Sequence, residues 1–136
     1  RMRSYYETCA AACMGERPAR MLYHVANHAI ILDLVRPEHQ ASLSAVMFNL
    51  GYLPSGDKSI ITQSAYTLKA ISNLVSLLTR PACISVLAYR GHAGGFEEAL
   101  AVQELLQQLQ QTQDASLCQY PTEPSETSPI HFFLEF

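Results

Sequence analysis

An apolar run, Ala45-Val46-Met47-Phe48, gives way to Asn49-Leu50-Gly51-Tyr52-Leu53-Pro54-Ser55-Gly56-Asp57-Lys58-Ser59, and a helical pattern begins near Ser64. Strand, polar loop, helix is the order in which an open α/β sheet presents side chains at the carboxyl edge of its strands. The order recurs further on. Cys83-Ile84-Ser85-Val86-Leu87-Ala88-Tyr89 reads as a second buried strand and runs into Arg90-Gly91-His92-Ala93-Gly94-Gly95. A helix then places Ala99, Val102, Leu106 and Leu109 on one face, with Glu97 and Glu98 in its first turn, where the helix dipole favours acids.

Asn49 is the first polar residue after four apolar ones, so its amide is expected where the central strand surfaces, offering both a carbonyl acceptor and an NH2 donor. Gly51 and Gly56 permit backbone shapes that a side chain would block, and Tyr52 adds a flat ring with a polar tip. Taken singly, Asn, Gly and Pro after a strand signify an ordinary turn. A phosphate loop is excluded. Gly51, Gly56, Lys58 and Ser59 nearly spell G-x-x-x-x-G-K-S, but Asp57 intervenes between glycine and lysine and sets a carboxylate among the amides.

With 136 residues there is room for one domain, and 49% hydrophobic content with 15% charge suits a packed core rather than disorder. A net charge of −3 argues against a general basic nucleic-acid footprint, so any RNA contact must be a local patch. No apolar run reaches membrane-spanning length and no secretory h-region precedes Cys9. Cys9, Cys13, Cys83 and Cys118 lack paired C-x-x-C spacing, which points to reduced structural thiols and to no metal site.

Along the chain, Ser4-Tyr5-Tyr6-Glu7 has the form of a capping box opening an Ala-rich helix that Gly15 would end. Met21–Val25 reads as a short strand with Asn27-His28 at its end; His24 and His28 also suit loop histidines satisfied by hydrogen bonds. Ile30–Val35 is a short helix or turn. The helix from Ser64 to Leu78 is expected to bury Leu68, Ile71, Val75 and Leu78, with Leu74 and Leu77 beside that stripe. Ala115–Tyr120 and Ile130–Phe136 read as closing strands joined by the polar loop 121–129.

Phe48 to Ser59, then Thr62, then Tyr89-Arg90-Gly91-His92 with Gly94-Gly95, resemble the rRNA methylase family of S-adenosylmethionine-dependent methyltransferases. That family includes enzymes acting on 5-aminomethyl-2-thiouridine at the tRNA wobble position. The resemblance runs from about Met21 to Glu98. It departs at Ser55 and Ala93, where the family carries Gly and Pro, at Thr79–Cys83, where it carries a Pro-Gly-Gly turn, and at Ala26, which replaces an acid. It implies an α/β, Rossmann-like class I sheet of strand order 3-2-1-4-5-7-6. No glycine-rich turn lies near the start, so the resemblance implies that strands 1 and 2 and the cofactor half lie upstream of Arg1. The 136 residues would then be one domain, the C-terminal portion of a methyltransferase, with Ala45–Phe48 left at a bare edge.

By the same resemblance, the Asn49 side chain and the Leu50 main-chain carbonyl would accept hydrogens from the substrate amine and aim its lone pair at the methyl group. Tyr52 would stack on the base or lie near the sulfonium, a contact worth about 0.5–2 kcal/mol. His92 would take the departing proton or bond the base, although it equally suits a histidine bonding its own glycine turn. His28, Asn49 and Leu50 would flank the cofactor; Gly51, Asp57, Lys58 and Arg90 would meet the RNA. S-adenosylmethionine and tRNA are the implied cofactor and partner, in a cytoplasmic or organellar compartment rather than a secreted one, and a homodimer stays open. A different class of reading is a non-catalytic module that binds RNA or protein with the same loop face.

Overall fold

The computed structural model describes residues 24–51 and 62–136. The expected helix after Ser4 and most of the expected strand Met21–Val25 lie outside them; His24 and Val25 belong to no element. A single 3-10 turn, His28–Ile30, leads into two one-turn helices, α1 (Ile31–Leu34) and α2 (Pro37–Gln40). Then come β1 (Ala45–Leu50), α3 (Ser64–Val75), β2 (Cys83–Ala88), α4 (Gly95–Gln113), β3 (Ser116–Tyr120) and β4 (Ile130–Glu135).

The four strands form one sheet in the order β1-β2-β4-β3. β1 and β2 are parallel, with Ala45 opposite Cys83 and Leu50 opposite Ala88, whereas β4 runs antiparallel to both β2 and β3. This is the 4-5-7-6 half of the class I order. Among the described residues β1 is an edge strand that pairs only with β2.

Period-two alternation divides the sheet into two faces. Phe48, Leu50, Ile84, Val86, Ala88, Ile130, Phe132 and Leu134 are buried against Ala70, Ile71 and Leu74 of α3 and Ala99, Val102 and Leu106 of α4. Only one face of β1 is buried, so it is half-covered rather than the fully buried strand that its apolar run suggested.

Two sequence expectations shift. β1 continues through Asn49 to Leu50, because Leu50 still packs into the core and is 2% exposed. Asn49 therefore sits within the ladder, not beyond it. Helix α3 ends at Val75, and its buried stripe is Thr67, Ala70, Ile71 and Leu74, with Leu68 and Val75 at its margins. The Gln-rich end of α4 is solvated, as its composition suggests: Gln107, Gln108, Gln110 and Gln111 are exposed.

Candidate functional site

The carboxyl ends of the parallel pair β1 and β2 carry the two motifs side by side. The Tyr89 amide donates to the Leu50 carbonyl at 3.2 Å, extending the ladder one step past the strands. Gly51 then turns with φ +135°, a conformation that side-chain-bearing residues rarely adopt. A Cβ there would lie 3.3 Å from Tyr89 Cβ and 3.4 Å from His92 Nε2. At Gly95 it would lie 2.6 Å from the Tyr89 carbonyl oxygen and 2.8 Å from His92 Nε2. Both glycines are thus required by close approach around the His92 ring, and a side chain at Gly95 would drive the ring or the Tyr89 turn aside.

His92 is half-buried. Its Nδ1 lies 3.1 Å from the Ala93 carbonyl, which can only accept, so Nδ1 carries the hydrogen and Nε2 is the nitrogen facing Gly51 and Gly95. His92 thus lies beside the β1 exit at Gly51. Asn49 is exposed, and its side chain leaves the sheet on the face opposite Phe48 and Leu50.

The other expected site residues are distributed less evenly. The Leu50 carbonyl already accepts from Tyr89, so one lone pair remains for any further donor. Arg90 donates from Nη1 to the Ser125 carbonyl at 2.8 Å and stacks over the Phe96 ring at 4.6 Å. This anchors the loop between β3 and β4. Tyr52, Asp57 and Lys58 lie outside the described residues.

His28 stands on the helix-covered side of β1, edge-on to Phe48 with ring centroids 6.3 Å apart. Burial lowers its pKa, partly opposed by the charge of Glu98. It also lines a cavity of about 410 Å³ with His24, Ala26, Ile31, Leu34, Val35, Arg36 and His39. His28 and Asn49 therefore approach the strand end from opposite sides of the sheet. The element joining them is one that the motifs did not identify.

That element is a buried polar chain. Glu98, 2% exposed in the first turn of α4, accepts from Thr62 Oγ1 at 2.5 Å and from Thr67 Oγ1 at 2.6 Å. Thr62 Oγ1 in turn accepts from the Gly51 amide at 2.9 Å, and the Thr62 amide donates to the Gly51 carbonyl at 3.0 Å. Thr67 Oγ1 lies 3.2 Å from His28 Nε2. The sequence did carry a signal for this. Glu98 is spaced four and eight residues from Val102 and Leu106, and Thr67 four and seven from Ile71 and Leu74, so both lie on apolar stripes. A carboxylate in such a stripe needs partners, and hydroxyls on a facing helix are suitable ones.

Among the described residues no group of three or more His, Cys, Asp or Glu side chains is placed to hold a metal ion, and no helix is long and apolar enough to cross a membrane. Cys83 is half-buried and Cys118 exposed, both as free thiols.

Residues 9–135 match the family model described as "Putative rRNA methylase". A "tRNA (mnm(5)s(2)U34)-methyltransferase, chloroplastic" of Arabidopsis thaliana is 48% identical over 67 residues, which make up 49% of this chain and 24% of that protein. The fold resembles the crystal structure of a "putative rRNA-methylase" from Clostridium thermocellum, with a TM-score of 0.68 and 33% identity. It also resembles a "putative methyltransferase" from Streptococcus mutans in complex with SAH, with a TM-score of 0.65 and 32% identity. In each case the alignment covers 79% of this chain and 56% of the other. The chain thus spans little more than half of these solved relatives and about a quarter of the Arabidopsis protein.

Proposed function

The chain belongs to the family described as "Putative rRNA methylase", and from that premise we propose that it is the C-terminal portion of an S-adenosylmethionine-dependent RNA methyltransferase. The substrate we propose is the amine of a 5-aminomethyluridine at the tRNA wobble position. The observation that carries this reading is the junction at the ends of β1 and β2, where exposed Asn49 precedes a positive-φ Gly51 packed against His92. The name of the Arabidopsis relative supports the wobble-uridine assignment, and the SAH complex of the Streptococcus mutans protein supports the cofactor.

The donor set fits such a cofactor in part. The exposed carboxamide of Asn49 and the ring of His28, held toward its neutral form by burial, are suited to an adenosine and an amine rather than to a phosphate. The described glycines are Gly51, Gly91, Gly94 and Gly95, all at the β1 and β2 exits, so they supply no turn after a first strand for the methionine end. When bound, S-adenosylmethionine supplies an electrophilic methyl group on a sulfonium. What this chain contributes is positioning. Asn49 Oδ1 accepts a hydrogen from the amine and so fixes the direction of its lone pair, with the second lone pair of the Leu50 carbonyl as a further acceptor. By the family resemblance His92, its Nδ1–H committed to Ala93, would take the departing proton or bond the base. Asp57, Lys58, Gly51 and Arg90 would line the RNA side and Tyr52 the base. An organellar compartment, as in the chloroplastic relative, or the cytoplasm suits this role.

Transfer of a labelled methyl group to tRNA bearing 5-aminomethyl-2-thiouridine tests the reading. The native protein should label the wobble base, and Asn49→Ala should lower the rate by about a hundredfold or more. An unchanged rate would remove Asn49 from the mechanism. RNA binding without any cofactor binding would favour the non-catalytic module instead.

A further inference from the structure

Glu98 is the most deeply buried carboxylate described, and no step above uses it. Both its oxygens accept from hydroxyls, and each of those hydroxyls belongs to a segment that must be held for catalysis. Thr62 closes the stretch that leaves β1 at Gly51 and returns at α3: its amide and hydroxyl bond both the carbonyl and the amide of Gly51, and its hydroxyl proton goes to Glu98. The contact between Thr62 and Glu98 spans 36 positions in sequence.

The second branch has a definite polarity. A threonine hydroxyl has one proton, and Thr67 donates it to Glu98 at 2.6 Å, so toward His28 Nε2 its oxygen can only accept. His28 must therefore carry hydrogen on Nε2, and in the neutral ring Nδ1 becomes an acceptor. Glu98 thus acts on two groups, on Gly51 through Thr62 and on His28 through Thr67. An apolar residue would fill the same position in the α4 stripe without the cost of desolvating a charge.

We propose that Glu98 is a positioning residue of the methyl-transfer site, clamping Thr62 and, through it, Gly51, and setting the tautomer of His28 without touching substrate. The proposal rests on the functional reading above. It differs from a purely structural role in that the fold should survive its loss while the loop ends and the histidine do not stay set. Two spectroscopic measurements need no activity: amide exchange at Gly51 and Thr62, and the 15N shifts of the His28 ring. A third is the RNA KM against kcat.

In the native protein His28 should be the Nε2–H tautomer. Glu98→Gln places an amide donor against hydroxyls that are themselves donors, and Thr62→Val removes the bridge, whereas Thr62→Ser keeps it. Glu98→Gln and Thr62→Val should each lower protection at Gly51 and Thr62 by about tenfold or more while β4 protection is unchanged, consistent with losing a charge-assisted hydrogen bond. The RNA KM should rise by a similar factor, with Thr62→Ser close to native. Should Glu98→Gln fail to fold, the Thr62→Val and Thr62→Ser pair decides alone. Native protection in Thr62→Val, or an Nδ1–H tautomer in the native protein, overturns the proposal whatever the RNA assay shows. Lost protection in a protein that never transfers methyl groups overturns the functional reading and leaves the clamp standing.

Discussion

The two faces of the sheet are built from the same strands and differ sharply. On one, Phe132, Leu134, Ile84 and Val86 are fully buried beneath α3 and α4. On the other, Met47 is 82% exposed, Tyr120 is 76% exposed, and Cys118 and Asn49 are open to solvent. Toward its middle that face carries a polar pair, Ser85 Oγ and His131 Nε2, 2.8 Å apart. Among the described residues, stability resides on the helix side, and the exposed chemistry lies on the opposite face or at the strand ends. Asn49 shows the consequence: its neighbours Phe48 and Leu50 fix the backbone, and so its side chain is free to face solvent.

The contrast can be broken most directly by a matched pair of truncations. Phe132→Ala should cost about 3–5 kcal/mol, the usual range for emptying a buried aromatic site. Phe133→Ala, half-buried on the other face, should cost about 1 kcal/mol. Urea unfolding of both variants measures the difference, and equal losses would mean that the second face is as tightly packed as the first.

A smaller effect is expected from His28, at the margin of the helix-covered face. Burial lowers its folded-state pKa below the unfolded value near 6.5. Above that value both states are neutral and the residue adds no pH dependence. As pH falls through the window the unfolded state takes up the proton first, so stability declines until the lowered folded pKa is passed. His28→Gln should therefore flatten the decline in melting temperature as pH falls below about 6.5 relative to native. Parallel curves for the two proteins would show that burial of this ring does not penalise its charge.

Much of this arrangement was legible in the chain. The two apolar runs ending in Asn49-Leu50-Gly51 and Tyr89-Arg90-Gly91-His92 identified β1 and β2, because short runs bounded by glycine signal strands of a parallel sheet. The family resemblance implied the class I order, whose 4-5-7-6 half the sheet shows. The end of β1 was harder to place. A polar residue after four apolar ones looks like a strand end, yet ladder pairing and the burial of Leu50 carry the strand two residues further. In α3 the apolar stripe was drawn through Leu68 and Val75, because leucine and valine outweigh alanine and threonine in any count of hydrophobicity. The true buried face holds Ala70 and Thr67, small residues that let α3 lie close to α4. Glu98 was read only for its helix dipole, since acids in a first turn are common on exposed helices. Its partners are distant in sequence, and only its place in the apolar stripe of α4 signals that it needs them.

The most direct test of the claim that the β1 exit is the methyl-transfer site is a titration of the whole methyltransferase, of which this chain is the proposed C-terminal portion, with S-adenosylhomocysteine, followed through the side-chain NH2 resonances of the asparagines of this portion. The account predicts that the Asn49 carboxamide shifts with saturation, that the His92 ring moves with it, and that Asn73, on α3, does not respond. Saturable binding that leaves Asn49 untouched would place the cofactor elsewhere and contradict it.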